Sequence, residues 1–325
     1  MKGEATLKRL SRRAALAGTV AVVGAGAARA DEPLKLVLGF PPGASSDTLT
    51  RLIADKMRVS LGRTVVVENK PGAVGIVANL AVKSAPPDGN TLLMTPLAPM
   101  VAFPHSYSKL DYDPFKDYVP VAELCAFYLA MGVGSAVPAR TLAEYAALVK
   151  TGGTYANFAS AAAGSLPHFF GLMFAKAAGV QLTHVPYKGT ANVMQAMMSG
   201  EIPAAVLTVA DWGTLQQSGK GRMLAVSSPQ RLAQYPDVPT FKESGYAIEG
   251  SAWYGLFAPA GTPQPIVDKL AADAVDAVRQ PDVRQKLEPL GLDVTGLGST
   301  DMAKILRDDY DRWGPVIRAS GFKAD

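Results

Sequence analysis

The sequence contains very little cysteine and histidine. Its 325 residues include one cysteine, Cys125, and three histidines. Cys125 has no partner for an internal disulfide, and its position in the apolar run 121–131 predicts a buried thiol. His105, His168 and His184 are too scattered along the chain to predict a zinc site. The composition therefore excludes a disulfide scaffold, and we predict neither a metal nor any other cofactor.

The sequence also lacks the short signatures of common enzyme classes. It has no Gly-x-Ser-x-Gly elbow, no Walker loop, and no Gly-x-Gly-x-x-Gly after the first predicted strand. The glycine-containing stretch 71–75 follows the second strand instead, and Asp111 and Asp113 are interpreted as turn residues before Pro114. Because no nucleophile stands beside a base, we predict that the protein is not an enzyme.

The excess positive charge is concentrated at the N-terminus. The whole chain carries a net charge of +4, whereas residues 1–30 hold six basic residues and one acid. Removing the +5 of that segment from +4 leaves about −1 for the rest of the chain. A nearly neutral remainder gives no electrostatic reason to bind nucleic acid, so we predict no nucleic-acid partner.

Residues 1–30 have the parts of a secretory signal peptide. Basic residues precede an apolar stretch from Ala14 to Ala28, and Ala28 and Ala30 supply the small residues of a cleavage site. The apolar stretch is shorter than the roughly 20 residues that a membrane-spanning helix needs. We therefore predict cleavage after Ala30 and a periplasmic location. Arg12 and Arg13 also fit a twin-arginine signal, which leaves the export route open.

The remaining chain of nearly 300 residues predicts two lobes. Apolar runs alternate with helical periodicity in two successive regions, a pattern typical of α/β lobes with mixed or mostly parallel sheets flanked by helices. Strands are expected at 34–40, 64–68, 91–95, 155–159, 182–186, 204–209, 222–227 and 253–258. The predicted division is 1–30 signal peptide, 31–132 plus 252–325 lobe 1 and 133–251 lobe 2, with two hinge crossovers near 132–137 and 250–253.

Each predicted lobe contains a strand that ends in a loop of small residues and leads into a helix. A helix N-terminus presents unpaired N–H groups and a partial positive charge, so it binds anions well. The alternative is ordinary helix capping by Ser46, Asp47 and Ser165. The candidate ligand residues are Phe40, Gly43, Ala44, Ser45, Ser46 and Asp47 in the first loop, and Ala161, Ala163, Gly164 and Ser165 in the second.

Three further side chains are candidates for the same cleft. His168 lies on the helix after the second loop, and Tyr187 and Asp211 each follow a predicted strand. Two of them have a structural alternative, Tyr187 as a core aromatic and Asp211 as a helix cap, and the nearby His184 is interpreted as a packed residue rather than a catalytic one. The sequence alone leaves these alternatives open.

Seven segments in register resemble a known family, the periplasmic receptors of tripartite tricarboxylate transporters, also called Bug-type receptors. The similarity covers essentially all of the chain after the signal. The segments are 40–47, 66–73, 87–93, 185–189, 199–202, 235–240 and 255–263. One departure is that an Asp often found near Thr208 is missing, with Asp211 just beyond.

The resemblance implies a periplasmic-binding-protein-like Venus flytrap that delivers a small organic carboxylate, either a dicarboxylate or an aromatic acid, to a membrane permease. We expect a monomer. Two alternatives stay open: an exported enzyme acting on a small carboxylic acid, for which Asp47 and His168 are the candidate bases, and a sensor receptor that presents its ligand to a signalling partner.

Overall fold

The computed structural model describes residues 32–324. The predicted signal peptide and its cleavage site lie outside the described residues. In the described part of the chain, no helix is long and apolar enough to cross a membrane. The same residues contain no group of three His, Cys, Asp or Glu side chains placed to hold a metal ion.

The described elements follow one another in three stretches. The first contains β1 (Leu34–Leu38), α1 (Ser45–Leu61), β2 (Val65–Asn69), α2 (Ile76–Lys83), β3 (Thr91–Pro96), α3 (Leu97–Val101), α4 (Phe103–Ser106) and β4 (Tyr118–Phe127). The second contains β5 (Leu129–Gly134), α5 (Leu142–Lys150), β6 (Asn157–Ser160), α6 (Leu166–Ala178), β7 (Thr183–Pro186), α7 (Thr190–Ser199), β8 (Ala204–Thr208), α8 (Val209–Gln217) and β9 (Gly221–Val226). The third contains β10 (Ala252–Pro259), α9 (Gln264–Arg279), α10 (Pro281–Leu287), β11 (Asp293–Leu297) and α11 (Ser299–Ala319).

These elements form two mixed sheets, one in each lobe. The sheet of lobe 1 has the order β11-β4-β10-β3-β1-β2, in which β2, β1 and β3 are parallel and β10, β4 and β11 are antiparallel to their neighbours. The sheet of lobe 2 has the order β7-β6-β8-β5-β9, in which β7, β6 and β8 are parallel. Helices cover both sheets, so the predicted two-lobed α/β fold is confirmed.

The chain changes sheets between β4 and β5, at Tyr128. This point lies before the expected crossover at 132–137. The sequence did not reveal it, because a single apolar run continues through both strands and carries no turn signal. The return stretch lies between β9 and β10. Ser227 joins the two connections: its hydroxyl accepts a hydrogen bond from Leu129 N at 3.0 Å and donates one to Gly250 O at 2.7 Å.

The last helix connects the lobes as well. Trp313 of α11 lies edge-on to Phe170 of α6, with ring centroids 5.4 Å apart. On the lobe 1 side, Asp309 of the same helix is buried and accepts a hydrogen bond from the indole N–H of Trp253 at 2.9 Å. The α11 helix is therefore fixed to the sheet of lobe 1 and packs against a helix of lobe 2.

Candidate functional site

The candidate ligand loops lie at the carboxyl ends of parallel strands, one in each sheet. In an open α/β sheet, the loops that follow parallel strands gather at one edge, which is where such folds bind ligands. The loop 39–44 follows β1, and the loop 161–165 follows β6. The geometry therefore places both predicted ligand loops at the edge where a ligand site is expected.

The first loop leads into α1 without a side-chain cap. Ala44 occupies the N-cap position, and no described side chain accepts a hydrogen bond from the first turn there. The first turn of a helix leaves its N–H groups without partners inside the helix. The N–H groups of Ser45, Ser46 and Asp47 therefore have no partner within the helix, and the capping alternative does not describe this helix start.

The Asp47 carboxylate supports the loop from within the protein. It accepts hydrogen bonds from Gly43 N at 3.0 Å, from Arg51 Nε at 2.9 Å and from Asn69 Nδ2 at 2.9 Å. Asn69 also donates to Phe40 O at 3.0 Å, which connects the end of β2 to the start of the loop. Asp47 is therefore fully engaged in holding the loop in shape.

The charge state of Asp47 follows from these contacts. Burial acts to raise its pKa, but the hydrogen bonds from Arg51, Gly43 and Asn69 outweigh it and lower the pKa to about 2. A carboxylate with so low a pKa is a poor proton acceptor near neutral pH. The first of the two candidate bases for an enzyme is thereby weakened.

Phe40 lies against the segment 70–75 of lobe 1, which connects β2 with α2. A Cβ built on Gly75 would contact the Phe40 ring at 3.8 Å, and one built on Gly39 would come within 2.6 Å of Gly75 Cα, so the two backbones are in close approach. Next to them, Ala73 and Val74 have positive φ angles of 45° and 54°. For a β-branched residue this is a strained conformation, and such strain concentrates at functional sites.

The second loop leads into α6, again without a side-chain cap. Ser165 is the N-cap residue, but its hydroxyl donates back to Ala162 O at 2.7 Å instead of accepting from the helix. Pro167 has no N–H, so Leu166 and His168 supply the first-turn donors. Ala163 is exposed at the tip of the loop, and Gly164 behind it is buried with a φ of 73°.

His168 lies behind this loop. Its Nδ1 accepts a hydrogen bond from Gly164 N at 3.2 Å, which requires that nitrogen to be unprotonated. Its ring stacks on that of His184, with centroids 3.9 Å apart and planes 22° apart. Burial lowers the pKa of His168 to about 4, and burial together with the neighbouring His168 lowers that of His184 to about 3. Both rings are therefore neutral at ordinary pH, and His168 is a weak proton acceptor.

His184 holds the strand end that precedes the loop. The Ser160 hydroxyl donates its single proton to Ala162 O at 3.0 Å, so the proton in the 2.7 Å contact between Ser160 Oγ and His184 Nε2 belongs to the imidazole. Ser160 of β6, Ala162 of the loop and His184 of β7 thus form one neutral network. His184 is a packed residue, as one of its two interpretations predicted.

Tyr187 and Asp211 are placed differently from one another. The Tyr187 hydroxyl donates to Glu201 Oε1 at 2.7 Å, and Glu201 lies just beyond the C-terminal end of α7. At the start of α8, Thr208 is the residue that caps the helix, accepting from Asp211 N at 3.2 Å. The Asp211 carboxylate accepts the Thr208 hydroxyl at 2.6 Å, and burial raises its pKa. Asp211 is not the N-cap residue itself, but its carboxylate also accepts from the Thr208 backbone N–H, so the two residues cap the start of α8 reciprocally and the capping interpretation of Asp211 holds in this form.

The sequence analysis missed Tyr254, which lies in β10 opposite Pro96, the last residue of β3. Its hydroxyl is in hydrogen-bond contact with Ser45 and Ser46, and its raised pKa, caused mainly by burial, is also influenced by the charge of Asp211 in the other lobe. Tyr254 therefore lies beside the first turn of α1. The sequence signal that could have indicated Tyr254 is its phenol hydroxyl within an otherwise apolar strand.

Together, these features define a two-lobed periplasmic-binding-protein-like fold in which a helix start without a side-chain cap follows a parallel strand in each lobe. A structure of the periplasmic binding protein BugD is similar to this chain, at 30% identity and a TM-score of 0.79, over 90% of this chain and 98% of that one. MatC from Rhodopseudomonas palustris, solved with bound malate, is 33% identical with a TM-score of 0.78, over 88% and 98% of the two chains.

The sequence comparisons agree with the structural ones. A protein of Cupriavidus necator described as "UPF0065 protein in gbd 5'region" is 32% identical over 317 residues, which are 95% of this chain and 96% of that protein. The family model of the tripartite tricarboxylate transporter family receptor matches residues 49–322. The chain belongs to this family, whose members are solute-binding receptors, and the resemblance seen in the sequence is confirmed.

Proposed function

We propose that the protein captures a small organic carboxylate, most favourably a dicarboxylate, between its two lobes and delivers it to a membrane permease of the tripartite tricarboxylate type. The observation that carries this proposal is the pair of helix N-termini, at α1 and α6, that no described side chain caps. Each offers N–H donors and a partial positive charge, and no lysine or arginine is needed to hold an anion there.

The proposed ligand residues keep the sequence-based set. Backbone N–H groups of the first turns bind the carboxylates, the small loop residues permit close approach, and Phe40 lines the apolar side of the ligand. The set is Phe40, Gly43, Ala44, Ser45, Ser46, Asp47, Ala161, Ala163, Gly164, Ser165, His168, Tyr187 and Asp211, to which we add Tyr254. Asp47, His168 and Tyr187 have their polar atoms engaged within the protein, so we assign them to the shape of the site.

Binding of the ligand to both lobes would favour a closed arrangement, because a ligand stabilises the state that it binds better. We propose the two connections joined by Ser227 as the hinge, with lobe 2 between them. The solved relative MatC holds malate, which supports a dicarboxylate of similar size. We also propose export to the periplasm by the cleaved signal peptide, which fits the periplasmic location in the description of BugD.

Calorimetric titration and thermal unfolding with matched ligands test the proposal. Succinate, malate and adipate are compared with their dimethyl esters, which keep the carbon chain and lose the charge. A ligand at about 100 times its Kd stabilises the folded state by about 2.7 kcal/mol. We expect a rise of a few degrees in Tm with at least one diacid and none with its ester. Equal shifts for acid and ester would contradict anion binding, and turnover of the acid would support the enzyme alternative.

A further inference from the structure

The loop 161–165 of lobe 2 is supported from behind by a residue that follows the last helix of lobe 1. A Cβ built on Gly164 would come within 2.9 Å of Cε1 of Phe322, so the glycine lies directly against this ring. The same ring meets His168 edge-on at 4.9 Å and Phe169 at 5.8 Å between centroids. Phe322 therefore covers both the loop and the imidazole that accepts the Gly164 N–H.

Phe322 is held by lobe 1. Its N–H donates to Ser320 Oγ at 3.2 Å, just after the end of α11. Two residues further, Ala324 N donates to Ser106 O of α4 at 2.8 Å. Because α4 and α11 belong to lobe 1, the ring extends from one lobe into the back of the ligand loop of the other.

We propose that Phe322 is a positioning residue for ligand binding: it holds the loop 161–165 in its binding conformation and makes that conformation depend on the position of lobe 1. The inference rests on the proposed function. Without the ring, the space behind Gly164 fills with water, His168 is hydrated, and the Gly164 N–H is no longer fixed on Nδ1. The N–H groups at the start of α6 then lose their preorganisation toward the ligand.

Burial is the main influence on the pKa of His168, because the described groups that face it are uncharged. From β7 the facing titratable group is His184, which is itself neutral. Phe158 from β6 and Phe169 from α6 face it with apolar rings. In the described part of the tail after α11, the one ionisable side chain is that of Lys323, which is exposed. Removing the Phe322 ring should therefore move the pKa of His168 from about 4 back toward 6.5.

The test compares Phe322→Ala with Phe322→Leu, which keeps an apolar cover, and with Lys323→Ala as the neighbouring control. The first measurement follows the imidazole resonances of the three histidines by NMR from pH 3.5 to 8. In Phe322→Ala the pKa of His168 should rise by at least one unit, whereas Phe322→Leu and Lys323→Ala should stay close to the wild type. An unchanged His168 pKa in folded Phe322→Ala would overturn the proposal.

The second measurement is calorimetric titration with malate, succinate and adipate at pH 7.5 and 5.5. We expect Phe322→Ala to bind about tenfold more weakly at pH 7.5 and to lose further affinity at pH 5.5, because the hydrated His168 then becomes protonated. The wild type and Lys323→Ala should show little pH dependence. If the wild type binds a diacid and Phe322→Ala binds it equally well, the inference about Phe322 is refuted while the proposed function stands. A wild type that binds no diacid would count against the proposed function, and the NMR result then decides whether Phe322 covers His168.

Discussion

The two proposed ligand loops lead into similar helix starts but are supported by opposite kinds of chemistry. The first is held by an ionised carboxylate, Asp47, that receives hydrogen bonds from a guanidinium, a backbone N–H and an amide. The second is held by two neutral imidazoles, His168 and His184, that are stacked on one another and covered by aromatic rings. The anion-binding element is thus the same, whereas its support differs.

Despite this difference, neither support places a net positive charge beside the start of its helix. In the first loop Arg51 is neutralised by Asp47, and in the second the imidazoles are uncharged because burial lowers their pKa values. In the proposed site, the N–H groups and helix dipoles would then be the main attraction for an anion. The two supports should also fail at different pH values, which offers a way to separate them.

The largest expected effect is that of Gly164→Val in the second loop. A positive φ costs a non-glycine residue about 1–2 kcal/mol, and contact with the Phe322 ring adds about 1–3 kcal/mol of overpacking. We expect a loss of about 3 kcal/mol in the free energy of unfolding, measured in urea, together with loss of diacid binding.

Gly179→Val is the matched control, because Gly179 has a φ of 61° and nothing within 4 Å of its Cβ position. It should show only the cost of the backbone conformation and should bind ligand normally. Combining Gly164→Ala with Phe322→Ala should recover part of the stability that Gly164→Ala loses alone. Equal losses at Gly164 and Gly179 would show that the second loop is not packed as described.

The next effect separates the two supports by pH. His168 is neutral in the folded protein down to about pH 4, whereas in the unfolded chain it binds a proton below about 6.5. Its contribution to stability is therefore complete above pH 6.5 and is lost as the pH falls to about 4, by about 2–3 kcal/mol. His168→Asn, which keeps an acceptor near Nδ1 but does not titrate, should lose less stability over this range.

Hydrogen exchange gives the local version of the same prediction. The Gly164 amide, which donates to His168, should lose protection at a higher pH than the Gly43 amide, which donates to Asp47. Protection factors that fall together as the pH is lowered would mean that the two loops share one support.

Asp47→Asn should have a smaller effect, confined to the first loop. The folded-state pKa of Asp47 is about 2 against an ordinary 3.8, so the ionised group stabilises the fold above pH 3.8 and ceases to do so as the pH falls to about 2. We expect Asn to cost about 1–2 kcal/mol at pH 7 and much less near pH 2.

The control for Asp47→Asn is Asp55→Asn, an exposed carboxylate on the same helix, which should change little. Both are measured by urea unfolding at pH 7 and by acid unfolding. If the cost of Asp47→Asn stayed constant down to pH 2, its charge would not be what holds the loop.

The smallest expected effect belongs to Tyr254→Phe. The ring keeps its stacking on Phe127, with centroids 5.0 Å apart, and only the hydroxyl beside Ser45 and Ser46 is lost. We expect affinity for a diacid to fall about fivefold, equivalent to about 1 kcal/mol, with little change in Tm. Tyr246→Phe, which alters a tyrosine packed on Phe174 in lobe 2, should leave affinity unchanged.

Much of the fold could be predicted from the sequence because its strands are short apolar runs bounded by turn residues. All eight expected strands are present within a few residues of the predicted bounds. The strands β4 and β5 were both missed, since one apolar run continues through them, only Tyr128 divides them, and no turn residue marks either as a strand. The strand β11 was missed because it contains Gly296 and pairs irregularly with β4.

The supports of the site could not be predicted in the same way. The helix starts were visible as strand, small-residue loop and amphipathic helix. In contrast, the stacking of His168 on His184 depends on β7 lying beside β6, and the Phe322 contact depends on where α11 ends. Local patterns in a sequence carry no information on such contacts between distant segments.

A crystal structure of the protein with bound succinate or malate tests the central claim most directly. We expect one carboxylate at about 2.7–3.2 Å from the N–H groups of Ser45, Ser46 or Asp47, and the other at similar distances from those of Ser165, Leu166 or His168. The imidazole of His168 should still accept the Gly164 N–H. A diacid held by side-chain cations, or bound at only one of the two helix starts, would contradict it.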